Sequence, residues 1–298
     1  MAPGGVTLFG GSGFIGRALT RRLLAGGARV RVAARCPEAL DASDAAGLST
    51  VEADILDDAA VRSAVAGADA VVNLVGILSE SGRYTFTAVH EQGARRVAAA
   101  AREAGAARLI HVSALGVDRA APAASDRTKA AGEEAVRREF PDAVIVRPSL
   151  VFGPGDHFFT GFAALARKLP ALPLIGGGET RFQPAFIDDV AAGFTALLGE
   201  PAAAGRIYAF AGPQVYSFRQ LLELMFAVTG RRTRLVSLPY FVAEPLGAVL
   251  GLLPAPPLTR DQVRLLRTDK VAGGGEATLG DLGVRLTELE RVLPTYLG

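Results

Sequence analysis

Apolar positions in this 298-residue chain cluster in short runs, separated by longer alanine-rich amphipathic stretches. The runs at residues 6–9, 29–33, 50–53, 70–74, 108–112 and 143–147 have the length of buried strands. Stretches at 14–25, 57–66, 88–104 and 127–140 carry helical periodicity between them. Such alternation predicts a parallel sheet covered by helices on both faces. Gly26-Gly27, Gly67 and Gly105 stand just past helical stretches, where a left-handed C-cap is wanted. Beyond Arg147 the texture changes. Pro148, Pro154, Pro170, Pro173 and Gly176-Gly177-Gly178 mark loops. Helices are expected to resume at 157–168, 187–198, 217–228, 240–252 and 259–266. The expected organisation is an α/β domain over 1–150 and a smaller, mostly helical lobe over 151–298, interleaved with the last strands. No internal repeat is visible.

Half of the residues are apolar, which excludes global disorder. Thirty-two basic and 30 acidic residues leave a net charge of +2, so nucleic acid is not an expected partner. A single cysteine, Cys36, rules out an intrachain disulfide and fits a reducing compartment. One cysteine and three scattered histidines make no metal site, so none is expected. The opening MAPGGVTLFGG has no signal-peptide pattern, and no apolar run is long enough to span a bilayer. The expected location is cytoplasmic, with contact at the inner membrane face left open.

The sharpest motif is VTLFGGSGFIGRAL, residues 6–19. An apolar strand enters Gly10-x-x-Gly13-x-x-Gly16 and then a helix. A pyrophosphate held there needs a sharp turn, close backbone approach and helix N–H groups aimed at it. The second strand ends in Arg35, where an acidic residue would favour NAD(H). A guanidinium suits a 2′-phosphate, so NADP(H) is favoured, with Arg31 available to assist. The alternative is that both arginines are solvated surface groups. Asp54 follows the third strand and is placed for the adenine amino group, while Asp57 reads as an ordinary helix N-cap.

With the glycine loop, Asp54, NLVG (73–76) and HVSALG (111–116), the chain resembles the extended and atypical short-chain dehydrogenases/reductases. VIVRPSLVFGPGDHFF (144–159), LPLIGGGETRFQPAFIDDVA (172–191), AGPQVYSFRQLLEL (211–224) and LTRDQVRLLRTDKV (258–271) carry the likeness further. They resemble the nucleotide-binding accessory subunit of respiratory complex I and its bacterial relatives, over nearly the whole chain. The resemblance implies a Rossmann-type, doubly wound α/β fold, a tightly held NADPH and a partner in a respiratory or quinone-related complex. Expected cofactor contacts are Gly10, Ser12, Gly13, Phe14, Ile15, Gly16, Arg35, Asp54, Ile55, Val75, Gly76, Lys129 and Pro148.

In that superfamily a serine after the fifth strand works with a tyrosine and a lysine four residues apart on one helix. Ser113 matches the serine and Lys129 the lysine, but Ser125 stands at the tyrosine position. A serine hydroxyl is a far weaker acid than a phenol and much shorter, so it does not simply substitute. Tyr84 and His157 are stand-in candidates. Tyr84 also reads as a loop anchor, and His157 as a polar residue at a helix start. His111 reads as a satisfied core histidine and His90 as a surface residue. An accessory protein with a degenerate site is expected; the alternative is an active oxidoreductase or epimerase on a hydrophobic carbonyl or quinone-like substrate. The apolar, proline-broken stretch at 235–258 reads as a pocket cap, as a docking or membrane-surface patch beside Arg231, Arg232 and Arg234, or as ordinary lobe core.

Overall fold

The computed structural model describes residues 5–37, 46–231, 233–254 and 256–298; Arg232 lies outside them. The strands of the main sheet are β1 (Gly5–Phe9), β2 (Arg29–Ala34), β3 (Leu48–Glu52), β4 (Ala70–Asn73), β5 (Arg108–Val112), β6 (Val144–Pro148), β8 (Ile207–Phe210) and β10 (Ala277–Thr278). They lie in the order β10-β8-β6-β5-β4-β1-β2-β3, all parallel. Strand order reverses between β1 and β4, and it is beside this switch that open α/β sheets bind ligands.

Successive strand residues serve opposite faces. Leu8, Val72 and Val144 enter one core with Leu19 and Leu23 of α1 (Phe14–Ala25) and Phe194 of α6 (Ile187–Gly199). Their neighbours Phe9, Val71 and Ile145 enter the other. That second core takes Val61 of α2 (Asp58–Val65), Val97 of α3 (Ala94–Glu103) and Val136 of α4 (Ala124–Glu139). Strands buried on both faces read as continuous apolar runs, which is why they were legible. Asp57 caps α2 as expected, its carboxylate accepting from the Ala59 and Ala60 N–H groups.

The lobe packs α5 (Phe159–Lys168) and α7 (Phe218–Thr229) around a third core that includes Phe152, Phe218 and Leu221. It also contains a parallel pair, β7 (Ala171–Ile175) with β9 (Arg234–Leu238), where the pattern marked no strand. Helices α8 (Tyr240–Leu250) and α9 (Arg260–Leu265) follow. The chain returns to the sheet twice, as β8 and β10.

Two expectations are corrected here. Arg31 does not reach the end of β2 beside Arg35: its guanidinium donates to the Ala64 and Ala66 carbonyls at the end of α2, at 2.9 and 2.7 Å. Those terminal carbonyls lack helical donor partners and attract a cation. His90 is not a surface residue; it is 3 % exposed. It belongs to a π-helical turn, Thr87–Gly93, that runs into α3 and carries its ring under α4. At Gly132 of α4 an added Cβ would fall 2.0 Å from the His90 carbonyl oxygen, so glycine permits that approach.

Candidate nucleotide cradle and adjoining cavity

The cradle begins where β1 ends. Gly10 has φ +76, and its carbonyl accepts from the Gly13 N–H at 3.0 Å, closing the turn. A Cβ on Gly16 would meet the Gly10 carbonyl at 2.4 Å, so the first turn of α1 sits on the loop only because that position is glycine. Gly13 is the N-cap of α1 and offers no side-chain acceptor, leaving the N–H groups of Phe14 and Ile15 to an outside partner. A cavity of about 260 Å³ opens above the loop. Gly10, Ser12, Gly13, Arg35, Asp54, Ile55, Val75 and Gly76 line it, together with Tyr84.

Arg35 is exposed at the mouth of this cavity, its guanidinium carbon 4.6 Å from the centre of the Tyr84 ring. The Tyr84 hydroxyl donates to Asp54 at 2.8 Å, and Arg83 pairs with the same carboxylate oxygen. The other Asp54 oxygen accepts from the Leu56 N–H at 2.9 Å. Burial would raise the Asp54 carboxyl, but Leu56, Tyr84 and the charges of Arg83 and Arg35 outweigh it and hold the group below its ordinary value. Tyr84 thus stands at the Arg35 end of the cradle, not beside Lys129. Its ring is a loop anchor there.

The loop after β4 is set by side chains. Asn73 accepts from the Val75 N–H at 3.1 Å, and its amide faces His111 Nδ1 at 3.3 Å. His90 Nε2 accepts from the Ile77 N–H at 3.0 Å, while its Nδ1 faces the Thr128 hydroxyl at 3.2 Å. The Thr128 hydroxyl donates to the Ala124 carbonyl, so the His90 Nδ1–H donates to Thr128. Both imidazoles are held neutral, mainly by burial: His90 falls to about 3 and His111 to about 4.

Ile77 also lines a second cavity of about 190 Å³, which therefore adjoins the first. Here the chain gathers Ser125, Asp126 and Lys129 from α4, Pro148 at the end of β6 with Ser149 and Leu150 after it, and Phe182, Leu265 and Lys270 from the lobe. Lys129 is partly buried; that burial lowers its amine, Asp126 and Glu133 oppose the shift, and Lys270 adds to it. Ser113 is 2 % exposed, and its hydroxyl is buried without a hydrogen-bond partner. Polar groups so placed are uncommon in native proteins and want a ligand or water.

Ser125, expected at the superfamily's tyrosine position, has its hydroxyl engaged. It donates to Asp261 Oδ2 at 2.5 Å, and the same carboxylate accepts from the Ala124 and Ser125 N–H groups at 2.6 and 3.2 Å. Asp261, from the LTRDQV stretch, therefore caps α4 across 136 residues of sequence. One residue on, Asp126 accepts from Lys270 Nζ at 2.7 Å, with the two side chains only 2 % and 12 % exposed. Burial raises the Asp126 carboxyl, and Lys270 and Lys129 work against that shift. Sequence reasoning missed Ile77, Asp126, Asp261 and Lys270. Asp126 was readable as an acid in the first turn of a helix, but its partner was not, since no spacing rule links positions 144 apart. His157 is exposed just before α5 and is absent from the lining of either cavity.

A glycine-floored cradle at the switch point of a doubly wound parallel sheet defines a nucleotide-binding α/β protein. Residues 6–211 match the NAD dependent epimerase/dehydratase family, and the chain belongs to it. Across 292 residues it is 37 % identical to NADH dehydrogenase [ubiquinone] 1 alpha subcomplex subunit 9, mitochondrial, of Rattus norvegicus, covering 95 % of this chain and 77 % of that one. It is 31 % identical to the ceramide reductase of Caulobacter vibrioides over 276 residues, covering 93 % and 84 %. Among solved structures, the NADPH-dependent quinone oxidoreductase QOR2 of Escherichia coli in complex with NADPH superposes with a TM-score of 0.77. That match has 20 % identity and covers 98 % of this chain and all of that one, a likeness of fold.

Proposed function

We propose that this chain is an NADP(H)-binding accessory or assembly protein that no longer uses the tyrosine chemistry of its superfamily, associated with respiratory complex I or quinone metabolism. The observation that carries this reading is Ser125. Its hydroxyl, although Ser125 lines the second cavity, is committed to the Asp261 carboxylate that caps α4, a stronger acceptor than any carbonyl substrate. The residues of the cradle fit a dinucleotide. Gly10, Gly13 and Gly16 with the Phe14 and Ile15 N–H groups would hold the pyrophosphate, Arg35 the 2′-phosphate, Asp54 the adenine side, and Lys129 the nicotinamide ribose. The buried, unpartnered Ser113 hydroxyl suits a ligand at the nicotinamide end. When bound, such a cofactor supplies hydride chemistry; in this reading it serves instead as a structural or sensing element. The 37 % identity to a mitochondrial NADH dehydrogenase subunit supports the respiratory assignment.

A second reading keeps the chemistry. The cavity beside Lys129 is lined largely by apolar groups, including Leu150, Phe182 and Leu265, yet contains the Asp126–Lys270 pair, and one relative is named a reductase. An active oxidoreductase or epimerase on a hydrophobic carbonyl or quinone-like substrate would suit that cavity. The deciding experiment is mass-spectrometric identification of nucleotide on native protein, followed by NADPH oxidation over a panel of carbonyls and quinones. Bound NADPH with no turnover supports the first reading; steady turnover transfers the assignment to the second, and absence of nucleotide affinity overturns both.

A further inference from the structure

Helix α8 turns a face with no charged residue to the outside. Ala243 and Gly247 are its buried residues, and they lie along one side. At 100° per residue, Phe241, Val242, Pro245, Leu246, Ala248 and Val249 occupy the opposite arc, and all are exposed. Leu252 and Leu253 extend the stripe past the helix end. Phe241 is 78 %, Val249 66 % and Leu252 86 % exposed. Leaving several large apolar side chains in water on one face is a departure from ordinary surface scatter. The single acid of the helix, Glu244, sits at the flank of this face, held by Arg260, Arg264 and Arg267.

The sequence around this helix is basic. Residues 231–268 contain six arginines against Glu244 and Asp261, a local net charge of about +4, whereas the whole chain carries +2. Asp261 is engaged by the start of α4, whereas Arg260, Arg264 and Arg267 share the single carboxylate of Glu244 and leave a positive surplus beside α8. None of the described helices is long and apolar enough to cross a membrane. An apolar helix face bordered by guanidinium groups, too short to span, matches the interface of an anionic lipid bilayer: apolar side chains enter the acyl boundary while arginines meet headgroup phosphates.

We propose that α8 and the turn through Leu253 form a peripheral docking surface for anionic membrane. The inference rests on this surface and not on nucleotide binding, so the two fail separately. The chain contains no tryptophan, so a single introduced one reports its own surroundings. Leu252→Trp would report on the docking face, and Val215→Trp, exposed elsewhere, would serve as control.

Each variant, as the intact chain, is mixed with vesicles of phosphatidylcholine alone or with phosphatidylglycerol added to about a third of the lipid. The expected result is about tenfold or greater enrichment of protein on the anionic vesicles, falling steeply with salt. A blue shift in the Leu252→Trp variant but not in the Val215→Trp variant should accompany it. Adding Phe241→Asp with Val249→Asp should abolish both the enrichment and the shift. Far-ultraviolet circular dichroism and the melting temperature of that doubly charged variant separate loss of docking from loss of fold. Absence of binding to either vesicle, or binding without a shift from the probe at position 252, overturns the proposal. A blue shift in lipid-free protein that grows with concentration also overturns it, in favour of a second copy or another protein covering the face.

Discussion

A hydroxyl works as an acid only when nothing stronger already holds its proton. Ser125 donates its hydrogen bond to the Asp261 carboxylate, so its proton is directed to a helix cap and not to a ligand. Binding places different demands on single residues, and Arg35 answers them: it is exposed, pinned by Tyr84 and open to an anion. Arg35→Asp should weaken NADPH by tenfold to about a hundredfold, the value of a charge-assisted bidentate contact, and barely change NADH. Fluorescence titration with both nucleotides checks this, and equal losses would remove the phosphate contact. His90 gives a second residue-scale prediction. Its folded value of about 3 lies below the ordinary 6.5, as does that of His111 at about 4. Below pH 6.5 the unfolded chain takes up protons that the folded chain refuses, so stability falls as pH drops from about 6.5 toward 4. The limiting slope is roughly 1.4 kcal/mol per pH unit for each group. Denaturant melts across that window should show the decline, and His90→Gln should flatten it by about half.

Elements whose apolar residues are buried on both sides were legible in the chain, and those stabilised from afar were not. The start of α4 shows why. Its N-cap, Ala123, has no side-chain acceptor, so nothing local announces a helix at Ala124, and the periodicity becomes visible only from residue 127. The cap is Asp261. Likewise β9, mostly exposed, merges into the apolar stretch that follows it and has no boundary of its own, and the π-helical turn at Thr87–Gly93 shifts the phase that made His90 look external. The cradle could be read because its glycines, strand and helix are contiguous; the second cavity could not, since its walls come from residues 77 to 270. If the distant cap matters, Asp261→Ala should cost about 1–3 kcal/mol, by orphaning two N–H groups and the Ser125 hydroxyl. Asp261→Asn should recover part of that loss. An unchanged melting temperature in Asp261→Ala would show that water replaces the carboxylate without penalty.

At the scale of the molecule, the last third of the chain joins the sheet as β8 and β10 and through core residues such as Tyr208, Phe210 and Leu279, and partly buried charged ties add to that apolar contact. Arg147 of β6 spans Glu133 of α4 and Glu276 before β10, and Lys270 reaches Asp126 beside the Lys129 cavity. A buried pair of this kind adds little net stability, but removing one partner strands the other. Lys270→Met should therefore destabilise by about 3–5 kcal/mol at neutral pH, more than the loss of an exposed ion pair. The pH dependence identifies the cause. Burial already raises the Asp126 carboxyl against the pull of Lys270, and without the lysine it rises further. A carboxyl raised in the folded state holds a proton that the unfolded chain has released, so the variant loses stability as pH climbs above about 4. Its deficit relative to wild type should be greatest near pH 7 and shrink on acidification. Asp126→Asn in the Lys270→Met background should restore much of the loss at neutral pH by removing the stranded charge. A deficit independent of pH, left unrepaired by Asp126→Asn, would show that Lys270 supports the lobe by packing and not by its charge.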